Sequence, residues 1–449
     1  MQQKLALIGA GSATFSLNLI KDLCLTDSLE NMQIVLMDVD VARLNAAYAL
    51  CTRYALEAGA KLLIKKTKSR KDALKNANFV IDTALPGGLG KLREGWDIAF
   101  RHGYRFGGSF HVVHDEAFWI NYHQLSLMEE IVQDMERYCP DAYLVMVANP
   151  VLAGITYLSR KYRGIKLVGM CHGFGGVYSL ARTLGLEREH ITFSSPGVNH
   201  FVWLSDFRYK GEDAYPILDK WLATKAEEHW AKCGVSDHEG RKPCDIYKRY
   251  GLFPIGDTAT PGGGAWPWQY HVDDQVEKSW GEDPKTWYQN YFDSGLESVK
   301  KIAEAVSDKS HPVRSHFPSE TSDEPMVPLI EALACDKERI VIVNIPNEGS
   351  LVPGVPENFE VEVPALISGR GIQGIQTKRL PQPILSRLLR DRVAPVEIEL
   401  EAYDRGDRKL LHELVMLDPW TRSDKQATGL IEEILALPHN ASMAAHYKR

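Results

Sequence analysis

Nowhere in its 449 residues does the chain hold an uninterrupted apolar run of about 18, so no segment reads as a transmembrane helix and no membrane partner is expected. Long basic runs are missing as well. The 52 lysines and arginines are outnumbered by 59 acidic residues, a net charge of −7, and nucleic acid is not an expected partner. Cysteine is sparse. Seven of them (Cys24, Cys51, Cys139, Cys171, Cys233, Cys244, Cys335) are odd in number, scattered and without a CxxC, which argues for reduced thiols in the cytoplasm rather than a disulfide framework. The N-terminal Met-Gln-Gln-Lys runs at once into an apolar stretch, so no signal peptide is expected. No internal repeat or low-complexity tract occurs. What is present is ordinary in bulk: 44% hydrophobic and 25% charged residues, on a chain long enough for two domains or one large α/β unit.

The local patterns are more telling. Lys4 to Gly9 reads as a buried strand and Phe15 to Leu25 as the helix after it; Gln33 to Asp38 and Val41 to Leu56 repeat the pair. Phe79 to Asp82, Ala142 to Val147 and Ile165 to Met170 are further strands. Short apolar strands alternating with helical patterns predict a parallel sheet covered on both faces. Leu85 to Trp119, rich in Gly, His and Arg, has no clean periodicity and reads as one long irregular segment, functional or mobile. Near residue 195 the character changes. Ile191 to Ser195 and Phe201 to Tyr209 read as strands, Ile217 to Lys232 as a helix, Phe253 to Trp268 as a loop, and Pro284 to Val306 as a helix. Ile340 to Asn344 and Phe359 to Val363 are strands, with three helical segments after Pro383. The expected fold class is α/β. An N-terminal Rossmann-type, NAD-binding parallel sheet over 1–195 is joined to an interleaved α+β substrate, metal and oligomerisation domain over 196–449.

The first strand leads into Gly9-Ala10-Gly11-Ser12-Ala13-Thr14. Gly9 permits a tight turn, Gly11 a close approach of backbone to a pyrophosphate, and the next helix aims its N-terminal N–H groups at that anion. Thr14 stands where the strict fingerprint has a third glycine. Asp38 ends the second strand, 27 residues after Gly11 rather than the usual ~20, and can accept hydrogen bonds from ribose hydroxyls. Gly9, Gly11, Ser12 and Asp38 are therefore the cofactor-binding candidates, with NAD favoured over NADP. Arg43 is the one nearby residue that works against that preference. On this loop alone a 2-hydroxy-acid dehydrogenase of the malate or lactate type is the natural alternative.

Two further places carry chemistry. Cys171-His172 follows a strand, which puts it at the carboxyl edge of the sheet, where open α/β folds bind ligands; His200 follows another strand. On their own these residues read first as a buried cysteine and a core histidine, and thiolate with imidazole would by itself suggest zinc. Their order along the chain says more. A GxGS loop at Gly9 to Ser12, then Asn149-Pro150, Cys171-His172, Gly197-Val198-Asn199-His200, and finally Val343 to Asn347 and Val361 to Pro364, resembles the family 4 glycoside hydrolases, which use NAD and a divalent metal.

The resemblance implies the following roles. Cys171 and His200 are ligands of a Mn²⁺-like ion, Asn149 holds sugar hydroxyls near it, and His172 stands at the acid position. Asp257, in Pro254-Ile255-Gly256-Asp257, is the candidate base, with Tyr247 and Tyr270 in reserve. It also implies a cycle in which hydride leaves sugar C3 for NAD⁺, the C2 proton is removed, the glycosidic oxygen departs by elimination, water adds at C1, and hydride returns. His172, followed by Gly173-Phe174-Gly175, resembles the branch acting on unphosphorylated α-glycosides, the α-galacturonidases in particular. An α-glucuronidase or an α-galactosidase of the same family is the alternative. A uronate needs cationic donors, and Arg93, Arg101, Arg105, His111, His114 and Arg314 are the candidates, Arg314 foremost. Trp266, Trp268 and Tyr270 are candidate sugar-lining aromatics. The expected enzyme is a homo-oligomer, dimer or tetramer, acting on a small-molecule uronide.

Overall fold

The computed structural model describes residues 3–86, 88–234, 238–263, 267–308, 310–322 and 324–448. Six strands form its parallel part: β1 (Lys4–Ile8), β2 (Gln33–Met37), β3 (Leu63–Thr67), β4 (Phe79–Asp82), β5 (Tyr143–Met146) and β6 (Lys166–Gly169). They lie in the order β3-β2-β1-β4-β5-β6, the doubly wound arrangement of a dinucleotide-binding sheet. Buried runs such as Leu5, Ala6, Leu7 and Ile8 carry no alternation because helices cover both faces. Register sets the level of the functional edge: Ile8 pairs with both Met37 and Asp82, and Asp82 with Met146. The turns that follow these strands therefore emerge side by side.

The remaining strands are β7 (Ile191–Ser194), β8 (Gly197–Val198), β9 (Phe201–Leu204), β10 (Asp206–Tyr209), β11 (Glu212–Asp213), β12 (Phe253–Ile255), β13 (Arg339–Pro346), β14 (Glu360–Ser368) and β15 (Gly371–Gly374). They do not form a detached sheet. β13 pairs antiparallel with β6, and the same sheet continues through β14, β8, β9 and β12. Among the described residues only β7, β10 and β11 make a separate three-stranded sheet. The second half is thus an α+β unit grown onto the edge of the first and interleaved with it.

Several local expectations change. The segment from Leu85 to Trp119 is not irregular throughout, because helix Gly88–Arg101 lies within it and helix Phe118–Tyr138 begins at its end. Gly95 hides the first helix's apolar face: a Cβ there would stand 2.2 Å from the Trp119 ring, so close packing requires a residue that weakens the helical pattern. The stretch Phe201 to Tyr209 is two strands that part at Ser205, one in each sheet. Lys225 breaks the helix expected over Ile217 to Lys232 into Tyr215–Thr224 and Ala226–Trp230. The Gly/Pro-rich loop from Phe253 opens with β12, paired to β9. Helix Pro284–Ser307 stands where expected, capped by the Asp283 side chain, which accepts from Thr286 N–H.

Candidate active site

The nucleotide loop is built by close approach. Gly9 has φ +84°, and its N–H and that of Ala10 both donate to Met37 O at 3.0 Å. A Cβ on Gly9 would fall 2.5 Å from Ala84 N, and one on Gly11 2.6 Å from Asp38 Oδ2. Gly11 N–H donates to that same carboxylate oxygen at 2.7 Å, while Asp38 Oδ1 accepts from Asp40 N–H at 2.8 Å. Arg43 Nε–H donates to Gly11 O at 3.2 Å. Ser12 is the N-cap of helix Ala13–Cys24 but does not cap it with its hydroxyl. The structure thus brings Gly9, Gly11, Ser12 and Asp38 together at a helix N-terminus suited to a pyrophosphate, with a half-buried carboxylate beside it for ribose hydroxyls.

The second group of candidates meets across the extended part of the sheet. One row of the ladder joins Gly169, Asn344, Glu362 and Gly197 through β6, β13, β14 and β8. Cys171 lies two residues beyond one end of this row, and His200 sits in the two-residue turn between β8 and β9. His200 takes φ +61°, a conformation that costs a non-glycine residue on the order of 1 kcal/mol. Its side chain is held from three directions. Nδ1 is 2.7 Å from Glu116 Oε1, Nε2 is 3.2 Å from Asp257 Oδ2, and a hydrogen bond links the ring to the Cys171 thiol.

Asn149 belongs to the same cluster. Its Nδ2 donates to Asp115 Oδ2 at 2.9 Å, and its carbonyl accepts from the Gln124 amide. Asp115 is paired with His114, whose ring lies 6.2 Å from that of His200. Trp96, on the unanticipated helix Gly88–Arg101, donates from Nε1 to His114 O at 3.0 Å and so fixes this corner.

Residues that sequence reasoning did not single out do much of the holding. Arg392 Nη2 donates to both oxygens of Glu116 at 3.0 Å and to Asn199 O at 3.3 Å, and its guanidinium lies 3.9 Å from the Phe110 ring centre. Both members of the pair are fully buried. Asn344 Nδ2 donates to Glu360 Oε1 at 2.6 Å and Glu362 Oε2 at 3.0 Å, and Glu360 Oε2 accepts Asn199 N–H at 3.1 Å. The only sequence signal for these was the pair of C-terminal motifs at Val343 and Val361. Glu116 was flagged only as part of the long segment Leu85 to Trp119 and Arg392 not at all, and their contact spans 276 positions.

Electrostatics follow from burial and charge. Burial pushes the Cys171 thiol up, with Glu362 adding to it, while the bond to His200 pulls it back. Burial alone would lower His200, yet Asp257, Cys171 and Glu116 hold it well above the usual histidine range. Glu116 is kept at about 2, because Arg392 and His200 outweigh its desolvation. Desolvation raises Glu360 to about 8 and Glu362 to about 7. Thiol, imidazole and carboxylate therefore converge within a shell holding more acid than base, a donor set that fits a divalent cation. Ligation there would require Cys171 and His200 to release protons. A further set of donors, His114, Asp115 and Glu116, has its ligand atoms within 4.8 Å of one another and borders the first.

His172 is exposed beside Cys171, its ring edge-on to Phe174 at 5.7 Å. Asp257 sits in the Gly256–Thr258 turn, anchored by Thr258 Oγ1, which accepts Val202 N–H at 2.9 Å, and by Thr260 Oγ1, which donates to Asp257 O at 3.1 Å. The reserve bases are placed elsewhere: Tyr247 donates to Asp219 and Tyr270 to Asp245, each at 2.8 Å. The tyrosines that feel the cluster are Tyr288 and Tyr291, both raised by burial and by the carboxylates of Asp115 and Asp257.

Arg314 is not brought to the site. It packs at the C-terminal end of helix Val41–Glu57, where its N–H and guanidinium bond to Glu57 and its Nε to Ser319, whereas Asp38 precedes the other end of that helix. Arg101 pairs with Glu433, Arg105 with Asp274 and Glu277, His111 with Glu399, and Arg93 donates to Gln289. Of these six candidates only His114 reaches the cluster. Trp266 and the Trp268 side chain lie outside the described residues.

Comparison with known proteins agrees with this geometry. Residues 4–186 match the family described as "Family 4 glycosyl hydrolase" and residues 195–421 its "C-terminal domain". The chain belongs to family 4 of the glycosyl hydrolases. Among its relatives in sequence are an alpha-galacturonidase of Thermoanaerobacterium saccharolyticum, 27% identical over 96% of this chain and 94% of that one, and an alpha-galactosidase of Bacillus subtilis, 24% identical over 96% of each. In structure it resembles a 6-phospho-alpha-glucosidase from gut microorganisms in complex with NAD and Mn²⁺, with a TM-score of 0.81 at 18% identity over 99% of each chain. The family 4 enzyme is thus an NAD-dependent glycosidase in its fold and general mechanism, which sets aside the plain dehydrogenase. Among its described residues no helix is long and apolar enough to cross a membrane.

Proposed function

We propose that the enzyme is an α-galacturonidase. The observation that carries its chemistry is the convergence of Cys171, His200 and Asp257 at the edge of a dinucleotide-binding sheet. Cys171 and His200 would hold a divalent metal such as Mn²⁺, and the Gly9 to Ser12 loop with Asp38 would hold NAD. When bound, NAD would supply a reversible hydride acceptor for sugar C3 and the metal a Lewis acid for the sugar's oxygens.

The chain's own side chains do the rest. Asn149, with Nδ2 committed to Asp115, keeps Oδ1 free to accept from a sugar hydroxyl and so orients the ring. Asp257, on its doubly anchored turn, takes the C2 proton. His172, exposed beside the metal ligand, gives a proton to the departing glycosidic oxygen. Glu116, clamped by Arg392, fixes the ring of His200 so that Nε2 faces the reacting centre. The same reading gives 1–195 to NAD and 196–449 to sugar, metal and subunit contacts, in a cytoplasmic homo-oligomer.

For the substrate, support comes from His172 and from the name of the relative in T. saccharolyticum. His114, its ring 6.2 Å from that of His200, is the donor at hand for the C6 carboxylate. Rates with NAD⁺ and Mn²⁺ on α-galacturonides, α-glucuronides and α-galactosides decide it. Cleavage of the galacturonide more than about 10²-fold faster than the galactoside is expected, since a neutral sugar leaves the carboxylate donors unpaired. Comparable rates would make this an α-galactosidase, as the relative in B. subtilis is named.

A further inference from the structure

A general acid lies beside the oxygen it protonates, so the group carried by that oxygen must occupy space next to the acid. A cavity of about 660 Å³ is lined by Phe174, the ring that packs against His172 at 5.7 Å. Phe174 is the wall they share: its ring is edge-on to His172 and near parallel to Phe193, at 6.4 Å and 21°. Tyr178 stands edge-on to Phe193 at 5.7 Å and extends this aromatic side, while Val327 and Ile342 line the other. Glu324 lines the same cavity, and burial raises its carboxyl while the imidazole of His172 lowers it. Asp22 also lines the cavity, and among the described residues no lysine or arginine does.

We infer that this cavity is the leaving-group subsite and that it selects an uncharged aglycone, a neutral sugar or an aryl group, over a second uronate. The inference rests on the proposed role of His172 and deepens that reading. Aromatic walls suit the flat apolar face of a sugar or aryl ring, and Glu324 can accept from a hydroxyl. A second uronate would bring its carboxylate against Glu324 and Asp22 with no lysine or arginine among the described lining residues; the guanidinium of Arg188 is stacked 4.0 Å from the ring centre of Tyr178, and the arrangement costs binding. The natural substrate class is then a galacturonoside of a neutral partner, not a galacturonate oligomer.

The test compares three substrates in the NAD- and Mn²⁺-loaded enzyme: the methyl and p-nitrophenyl α-galacturonosides and α-(1→4)-digalacturonate. The wild type should prefer the p-nitrophenyl compound to digalacturonate by at least about tenfold in kcat/KM. Phe193→Ala, which removes a wall, and Thr192→Trp, which fills the cavity from its exposed rim, should each lower kcat/KM for the p-nitrophenyl substrate by about tenfold, chiefly through KM. The loss on the methyl glycoside should be at least about fivefold smaller. Glu324→Gln should narrow the gap for digalacturonate. Equal losses on aryl and methyl substrates, no loss on either, or a change of oligomeric state with unchanged kinetics would each overturn the subsite alone. Failure of the wild type to cleave any uronide would overturn the functional reading and the subsite with it.

Discussion

His200 is where the account is most exposed to a single substitution. It holds a left-handed backbone angle, a buried ring and three polar partners at once, and the residue behind it, Glu116, is itself buried against Arg392. Glu116→Gln keeps the shape but removes the charge that orients Nδ1, and loss of such a partner typically costs about 10- to 100-fold in metal affinity or activity. Titration of Mn²⁺ against activity would show it as a raised activation constant. Arg392→Met leaves a carboxylate buried with no guanidinium, a loss of about 3–5 kcal/mol in denaturant unfolding. Cys171→Ser should lower turnover by at least about 10³-fold, because a hydroxyl at neutral pH does not replace a thiolate ligand. A chelator should inactivate the wild type and Mn²⁺ restore it; full activity in excess chelator would remove the metal from the mechanism. Sequence singled out Asn149, Cys171, His200 and Asp257, which the structure brings together, and His172 beside them, because short motifs carry those residues. It could not reach Glu116 and Arg392, since a pair separated by 276 positions has no local pattern.

Among the elements, the β1 turn and the β4 end make the sharpest claims. Gly11→Ala would put a methyl carbon 2.6 Å from Asp38 Oδ2, so the loop and the carboxylate must separate. The expected result is a KM for NAD⁺ raised by about tenfold or more, with kcat at saturating NAD⁺ affected less. Asp82, buried at the end of β4 and accepting Ala84 N–H at 3.1 Å, is raised by desolvation to about 7. Its folded value lies above the unfolded value near 4, so between these two pH values the folded chain binds more protons. Its contribution to stability therefore falls as pH rises from about 4 to about 7 and is level above. Asp82→Asn should stabilise the NAD-free protein at pH 8, by up to about 4 kcal/mol, and leave it nearly unchanged at pH 4. Urea unfolding at both pH values checks the sign, and an equal effect at both would contradict it. The parallel strands were legible because they are buried apolar runs. β3 was not: in Leu63 to Thr67 no residue is fully buried, as befits an edge strand. Helix Gly88–Arg101 escaped because Gly95 trades helical propensity for contact with Trp119.

At the level of the whole molecule, one continuous sheet joins the nucleotide loop to the metal-ligand candidates. The cofactor cradle lies past β1 and β2, Cys171 past β6, and His200 beyond β8, so the same sheet fixes all three. That continuity is why a boundary near 195 was readable as a change of pattern but not as a break in the structure, since β13 and β14 return from the far end of the chain to pair beside β6. The central claim is that this shared edge runs an oxidation, elimination and re-reduction cycle on a glycoside. Its most direct test is an α-galacturonoside carrying deuterium at C2, turned over in ordinary water with NAD⁺ and Mn²⁺ and stopped early. Mass spectrometry of the released sugar should show loss of the C2 deuterium, with no net NADH at any time, because Asp257 removes that nucleus and solvent exchanges it before the hydride returns. Complete retention of deuterium at C2 in the product would contradict the account.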